Sequence, residues 1–212
     1  ITTSANQTLN AASISAKVNT RRNGVSIHLN ESSFDINGKN WIIEKNGELI
    51  LSKDLVSAEG IKIYNGQQEI RITTAPSDIG NTNDIKIDLQ KINIGDFTPY
   101  VIKKNRLEGL LTGTVDIIDP FGKLQVDVKG EAEQFRLDDD SVGKIQLGAN
   151  YNQRTGAINF NGVSDNLDYR FDLKGLYNML DSASDKQLDI VTNFKDTKIN
   201  LLNRYLSTVF SS

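Results

Sequence analysis

Leu107–Ile118, LEGLLTGTVDII, is the stretch whose reading decides the fold. Its odd positions are Leu107, Gly109, Leu111, Gly113, Val115 and Ile117, while Glu108, Thr112, Thr114 and Asp116 are polar. That alternation gives a pleated strand one apolar face and one wet face. Immediately upstream, Ile94, Phe97, Val101 and Ile102 follow a helical spacing instead. This predicts a short amphipathic helix, near 95–104, ahead of the strand.

The same period extends outward in both directions. Asp119, Pro120, Phe121 and Gly122 fit a β-turn with proline second and glycine fourth. Leu124, Val126, Val128, Gly130 and Ala132 then keep one parity, which switches at Phe135 and Leu137. The switch predicts a bulge near Glu133 or Gln134 and a strand that curls. Further alternating runs occupy 145–151, 158–160, 167–177 and 188–194, and 85–89 precedes the helical segment. Nearer the start, short runs between 9 and 72 are punctuated by four Asn-Gly pairs, at 23–24, 37–38, 46–47 and 65–66. Such pairs tolerate the positive φ of type I′ turns, so they predict a β-meander. The three prolines, Pro76, Pro99 and Pro120, fall between the predicted strands, as ladder hydrogen bonding requires.

Composition narrows the function classes. A formal net charge of −3 over 212 residues supplies no basic field for a phosphate backbone or an anionic membrane, so no nucleic-acid partner is expected. With no cysteine, disulfides and thiolate metal sites are excluded. His28 is the sole histidine and lies on the polar parity of its strand, without the converging partners of a triad or metal site. Asp138, Asp139 and Asp140 alternate faces and lack the spaced oxygen ligands of a calcium loop. Asp116, Asp127 and Asp172 are placed on outward faces. No glycine cluster forms a phosphate-binding fingerprint. The expectation is therefore a protein that is not an enzyme and holds no metal or cofactor.

Lys91-Ile92-Asn93-Ile94 is echoed by Lys198-Ile199-Asn200-Leu201, and in both copies a tyrosine and an aliphatic follow, Tyr100-Val101 and Tyr205-Leu206. A repeat of this kind marks stacked units. The organisation expected from it is a β-meander over 1–90 ending a preceding unit, one full unit over 91–197, and an apolar helical start of the next over 198–212, with a second short helix near 198–210. A chain that opens on Ile1 and closes on an apolar segment running into Ser211 and Ser212 is expected to be a piece of a longer protein.

An apolar plug, then LEGLLTGTVDI, a proline turn, LQVDVKGEAEQFRL, KIQLGANYNQRTGAINFNG and LDYRFDLKGLY resembles the TamB family of AsmA-like bridge proteins in Gram-negative envelopes. INLLNRYLSTVFSS is similar to the plug before the next strand in that family. The resemblance covers 84–212. It implies an all-β fold in which a long curved antiparallel sheet forms an open, taco-like trough whose apolar inner face carries phospholipid acyl chains across the periplasm. It also implies an inner-membrane anchor in the full-length protein and an outer-membrane barrel partner, with a link to outer-membrane protein assembly.

In a trough, the lipid-binding inner face would comprise Val115, Ile117, Val126, Val128, Ile145, Leu147, Phe160, Tyr169, Phe171, Leu173 and Ile190. In a β-sandwich the same side chains would be plain core, and the function would be that of a structural or adhesin-like module binding protein or glycan. Glycines on the inner parity, at 109, 113, 130 and 175, suit a sharply curved sheet and favour the trough.

Overall fold

The computed structural model describes residues 2–3, 9–101, 106–180 and 187–195. Among the described residues the chain is all-β apart from one helix. The first ten strands are β1 (Thr2–Thr3), β2 (Leu9–Ser13), β3 (Ala16–Arg21), β4 (Gly24–Leu29), β5 (Ser32–Ile36), β6 (Lys39–Ile43), β7 (Glu48–Ser52), β8 (Val56–Glu59), β9 (Ile61–Asn65) and β10 (Gln68–Pro76). Then come β11 (Asn83–Asn93), α1 (Ile94–Val101), β12 (Leu107–Ile118), β13 (Gln125–Leu137), β14 (Asp140–Asn152), β15 (Ala157–Asp165), β16 (Arg170–Asn178) and β17 (Leu188–Lys195). Every pairing is antiparallel. The large sheet has 13 strands in the order β1-β2-β5-β6-β9-β10-β11-β12-β13-β14-β15-β16-β17, and β3-β4-β7-β8 form a second sheet. Neither closes on itself among the described residues, so the expected open antiparallel sheet is what the chain forms.

The two sheets are two halves of one up-and-down meander. In both, strand order follows chain order, and β2–β3, β4–β5, β6–β7 and β8–β9 are long strands interrupted by one to four residues along a common seam. Backbone hydrogen bonds stitch the seam: Asn30 N–H donates to Ser15 C=O (3.1 Å), Leu29 N–H to Gly47 C=O (2.8 Å) and Glu44 N–H to Lys62 C=O (2.8 Å). Ser32, 4% exposed, accepts the Ser15 N–H at its hydroxyl (2.9 Å). The apolar parity shifts across the seam, from Val25, Ile27 and Leu29 in β4 to Phe34 and Ile36 in β5, as an inserted residue requires. Side chains dock the second sheet edgewise on the first: Ala58 N–H donates to Thr74 Oγ1 (2.9 Å), and the Asn83 amide to Val56 C=O (2.9 Å).

Of the four Asn-Gly pairs, only Asn37-Gly38 has positive φ at both residues, as a type I′ hairpin needs. Asn65 ends β9 and leaves the positive φ to Gly66, Gly24 opens β4, and Asn46-Gly47 lies on the seam. Pro76 is the last residue of β10 and Pro99 lies inside α1.

The predicted bulge is present. The β13–β14 register shifts between Ala132 and Phe135, and Gln134 has φ +53°. It belongs to a line of irregularities running through Lys91 (φ +48°), Gly109 (φ +147°), Gln134 and Gly143 (φ +89°) in four successive strands. Gly109, expected to be an inner-face glycine, is therefore a bulge residue. Helix α1 starts at Ile94, as the spacing indicated, and its last described residue is Val101. The second expected helix and the second copy of the repeat lie outside the described residues.

Candidate functional site on the apolar face

Residues directly opposite each other in an antiparallel pair share a face, so the strand registers define that face without reference to function. One row runs Ile72, Ile87, Val115, Val128, Ala149, Phe160, Gly175, Ile190. The next runs Ile70, Leu89, Gly113, Gly130, Leu147, Gly162, Leu173, Thr192. Flanking rows hold Ile85, Ile117, Val126, Tyr151, Ile158 and Tyr177 on one side and Ile92, Leu111, Ala132, Ile145, Ser164 and Phe171 on the other. Ten of the eleven residues expected on the inner face fall in these rows. The eleventh, Tyr169, directly precedes β16 and packs against the Ala132–Val142–Ile145 cluster.

The face has a closed end and an open span. At the bulge line, Ala132 is 0%, Val142 2% and Ile145 8% exposed, with Ile94, Phe135, Leu147, Tyr169 and Phe171 packed on them. Helix α1 covers the neighbouring strands. Phe97 meets the fully buried Trp41 edge-on at 5.8 Å between ring centroids, and Lys39 Nζ lies 2.7 Å from Asp96 Oδ2, whose side chain is 4% exposed. Asn93 Oδ1 accepts the Gly95 N–H (3.0 Å) and the Asn93 N–H is taken by Gln68 Oε1 (2.7 Å), which fixes the start of the helix. Beyond this end, Val115, Ile117, Val126, Val128, Phe160 and Leu173 are all half-buried, and at the edge strand Ile190 is exposed.

At the glycines of the face, the atoms that a side chain would meet are defined. A Cβ on Gly175 would lie 2.1 Å from the Phe160 ring, and one on Gly130 would lie 3.0 Å from Leu111 Cδ1. They are seats on which a neighbouring ring or branch lies down across the strand. Gly113 serves a close backbone approach, since its Cβ would fall 2.2 Å from the Lys129 carbonyl oxygen.

The rows also contain residues the sequence reading left out. Ile70, Ile72, Ile85, Ile87 and Leu89 continue the face into β10 and β11, and they carry the same alternation as β12. A unit boundary drawn near 90 kept them off the inner face. Asp116, Asp127 and Asp172 all sit on the opposite side, which also carries Val163 and Leu176. His28 stands across from Lys17 and Glu48 on the polar side of the small sheet. Asp138 accepts the Arg106 N–H (2.8 Å) and Asp139 lies 3.5 Å from the Arg106 guanidinium, so these acids serve a strand end. Among the described residues, no three potential metal-ligating side chains come together, and no helix is long and apolar enough to cross a membrane. Comparison with protein-family models, curated proteins and solved structures finds no match for this chain.

Proposed function

We propose that the chain is a non-catalytic segment of a lipid conduit, binding phospholipid acyl chains along the apolar face of its sheet. The observation that carries this reading is the continuity of half-covered apolar rows over β10–β16 in a sheet that does not close. A single-layer sheet of this kind leaves a contiguous apolar surface for an occupant, and such surfaces mark sites of interaction. Acyl chains match it chemically, because the rows offer mainly aliphatic and aromatic carbon and no charged side chain that would demand a specific headgroup.

With the TamB-like order of plug, glycine-containing strand and proline turn, the reading extends to a periplasmic location, an inner-membrane anchor in the full-length protein, and an outer-membrane barrel as partner. Native mass spectrometry of protein purified from a bacterial host tests the core of it. Co-purifying phospholipid is the expected result; apo protein that also takes up no fluorescent fatty-acid probe would sink the proposal and leave a structural module.

A further inference from the structure

We propose that the polar face of the sheet carries a binding site for an acidic saccharide, centred on Gly148. A recess of about 460 Å³ lies there. Its middle is the row Lys129–Gly148–Asn161–Lys174, four residues paired directly across β13, β14, β15 and β16. Beside it runs Asp127–Asn150–Asn159. All of these belong to the parity opposite the apolar rows, and the intervening residues Val128, Ala149, Phe160 and Gly175, whose parity is that of the apolar face, also line the recess. Gly148 seats the Asn161 amide on the floor of the recess: a Cβ there would be 2.7 Å from Asn161 Oδ1.

Within strands β9–β16 the charge pattern singles out this place. Strand cations elsewhere in β9–β16 are engaged: Lys62 and Arg71 with Glu69, Lys86 with Asp88, Arg136 with Glu108, and Lys144 with Glu131. Lys91 reaches the Gln67 amide oxygen (3.2 Å), and Arg170 is also partnered. Among the described residues, Lys129 and Lys174 have no ion-pair or hydrogen-bond partner, and both border the same recess. Asn159 and Asn161 likewise have their amides free, whereas the Asn150 amide donates to Asp127.

The geometry sets the ligand class. Lys129 and Lys174 stand three strand spacings apart, roughly 14 Å at the backbone, too far for one small anion to engage both without bringing the side chains together over Gly148. Between them, each asparagine amide offers two donors and one acceptor, a set that suits hydroxyl groups. An extended, hydroxyl-bearing ligand with carboxylates meets both requirements; a bare anion or a neutral sugar meets one.

Isothermal titration calorimetry on the 212-residue chain tests this, using a tetrasaccharide of alternating glucuronate and N-acetylglucosamine. The uncharged N-acetylglucosamine tetramer and inorganic phosphate are the comparison ligands. The acidic tetrasaccharide is expected to bind saturably and more weakly as salt rises, with the two comparison ligands about tenfold weaker or worse. The Lys129→Ala/Lys174→Ala double variant changes only exposed side chains and should lose about tenfold or more. Asp127→Asn should bind more tightly, because a repelling charge is gone. Absence of saturable binding, undiminished binding by the double variant, or phosphate binding as tightly as the saccharide each overturns the proposal. Retention of fatty-acid probe binding by the double variant separates this face from the apolar one.

Discussion

The strands β12–β16 live in two environments along their own length. At the bulge line their apolar side chains are closed in by α1 and by one another, with Ala132 fully buried, and Trp41 of β6 is fully buried against the same helix. A few residues further along the same strands, Val115, Val128 and Phe160 have the same residue types and the same alternation, yet remain half-exposed. Apolar parity therefore determines which side of a strand is dry in preference, but not whether anything covers it. Coverage comes from elements that parity does not encode, here a two-turn helix and a row of backbone irregularities.

Substitutions along this axis can break the contrast. Trp41→Ala removes the largest fully buried side chain, the one against Phe97, and should cost about 3–5 kcal/mol through lost burial and the cavity left behind. Chemical denaturation measures this; a loss below about 1 kcal/mol would mean that the closed end is not a packed core. Phe171→Asp lies at the border, because the ring packs on the Ala132 cluster while the residue stays partly accessible. A charge there should cost on the order of 2–3 kcal/mol and should also weaken fatty-acid probe binding. Val128→Asp lies in the open span, where the carboxylate reaches water. It should cost only about 1 kcal/mol and leave the far-ultraviolet circular dichroism unchanged, while fatty-acid probe binding is lost. If Val128→Asp unfolds the protein instead, the span is a closed core and the two regions are not different in kind.

The local part of this picture was legible in the sequence. The parity switch between Ala132 and Phe135 located the bulge because an extra residue has no other way to keep Phe135 on its face. The helical spacing from Ile94 located the start of α1. The seam was not legible. Runs of four to six residues on either side of Asn30 or Gly60 look like separate strands, and nothing local says that consecutive runs continue one strand into a second sheet. Nor could the closed end be read, since it depends on Lys39 meeting Asp96 across 57 positions and on Trp41 meeting Phe97. The seats were hidden for a related reason: a missing side chain says nothing of what lies over it, and only the position of Phe160 shows that Gly175 is one.

Gly162 gives the smallest and cleanest test of how loosely the open span is filled. It shares a row with Leu147 and Leu173, and a Cβ there would meet nothing closer than Phe171 Cε2, at 3.8 Å. That is ordinary contact. Glycine in a strand interior costs roughly 0.5–1 kcal/mol relative to alanine, because the unfolded chain has more freedom to lose. With no collision to offset this gain, Gly162→Ala should be neutral or stabilise by up to about 0.5–1 kcal/mol, read as a shift in denaturation midpoint at constant slope. A marked destabilisation would mean that side chains close over Gly162 as Phe160 closes over Gly175. The open span would then be as tightly filled as the end under α1, with no room on that row for an acyl chain.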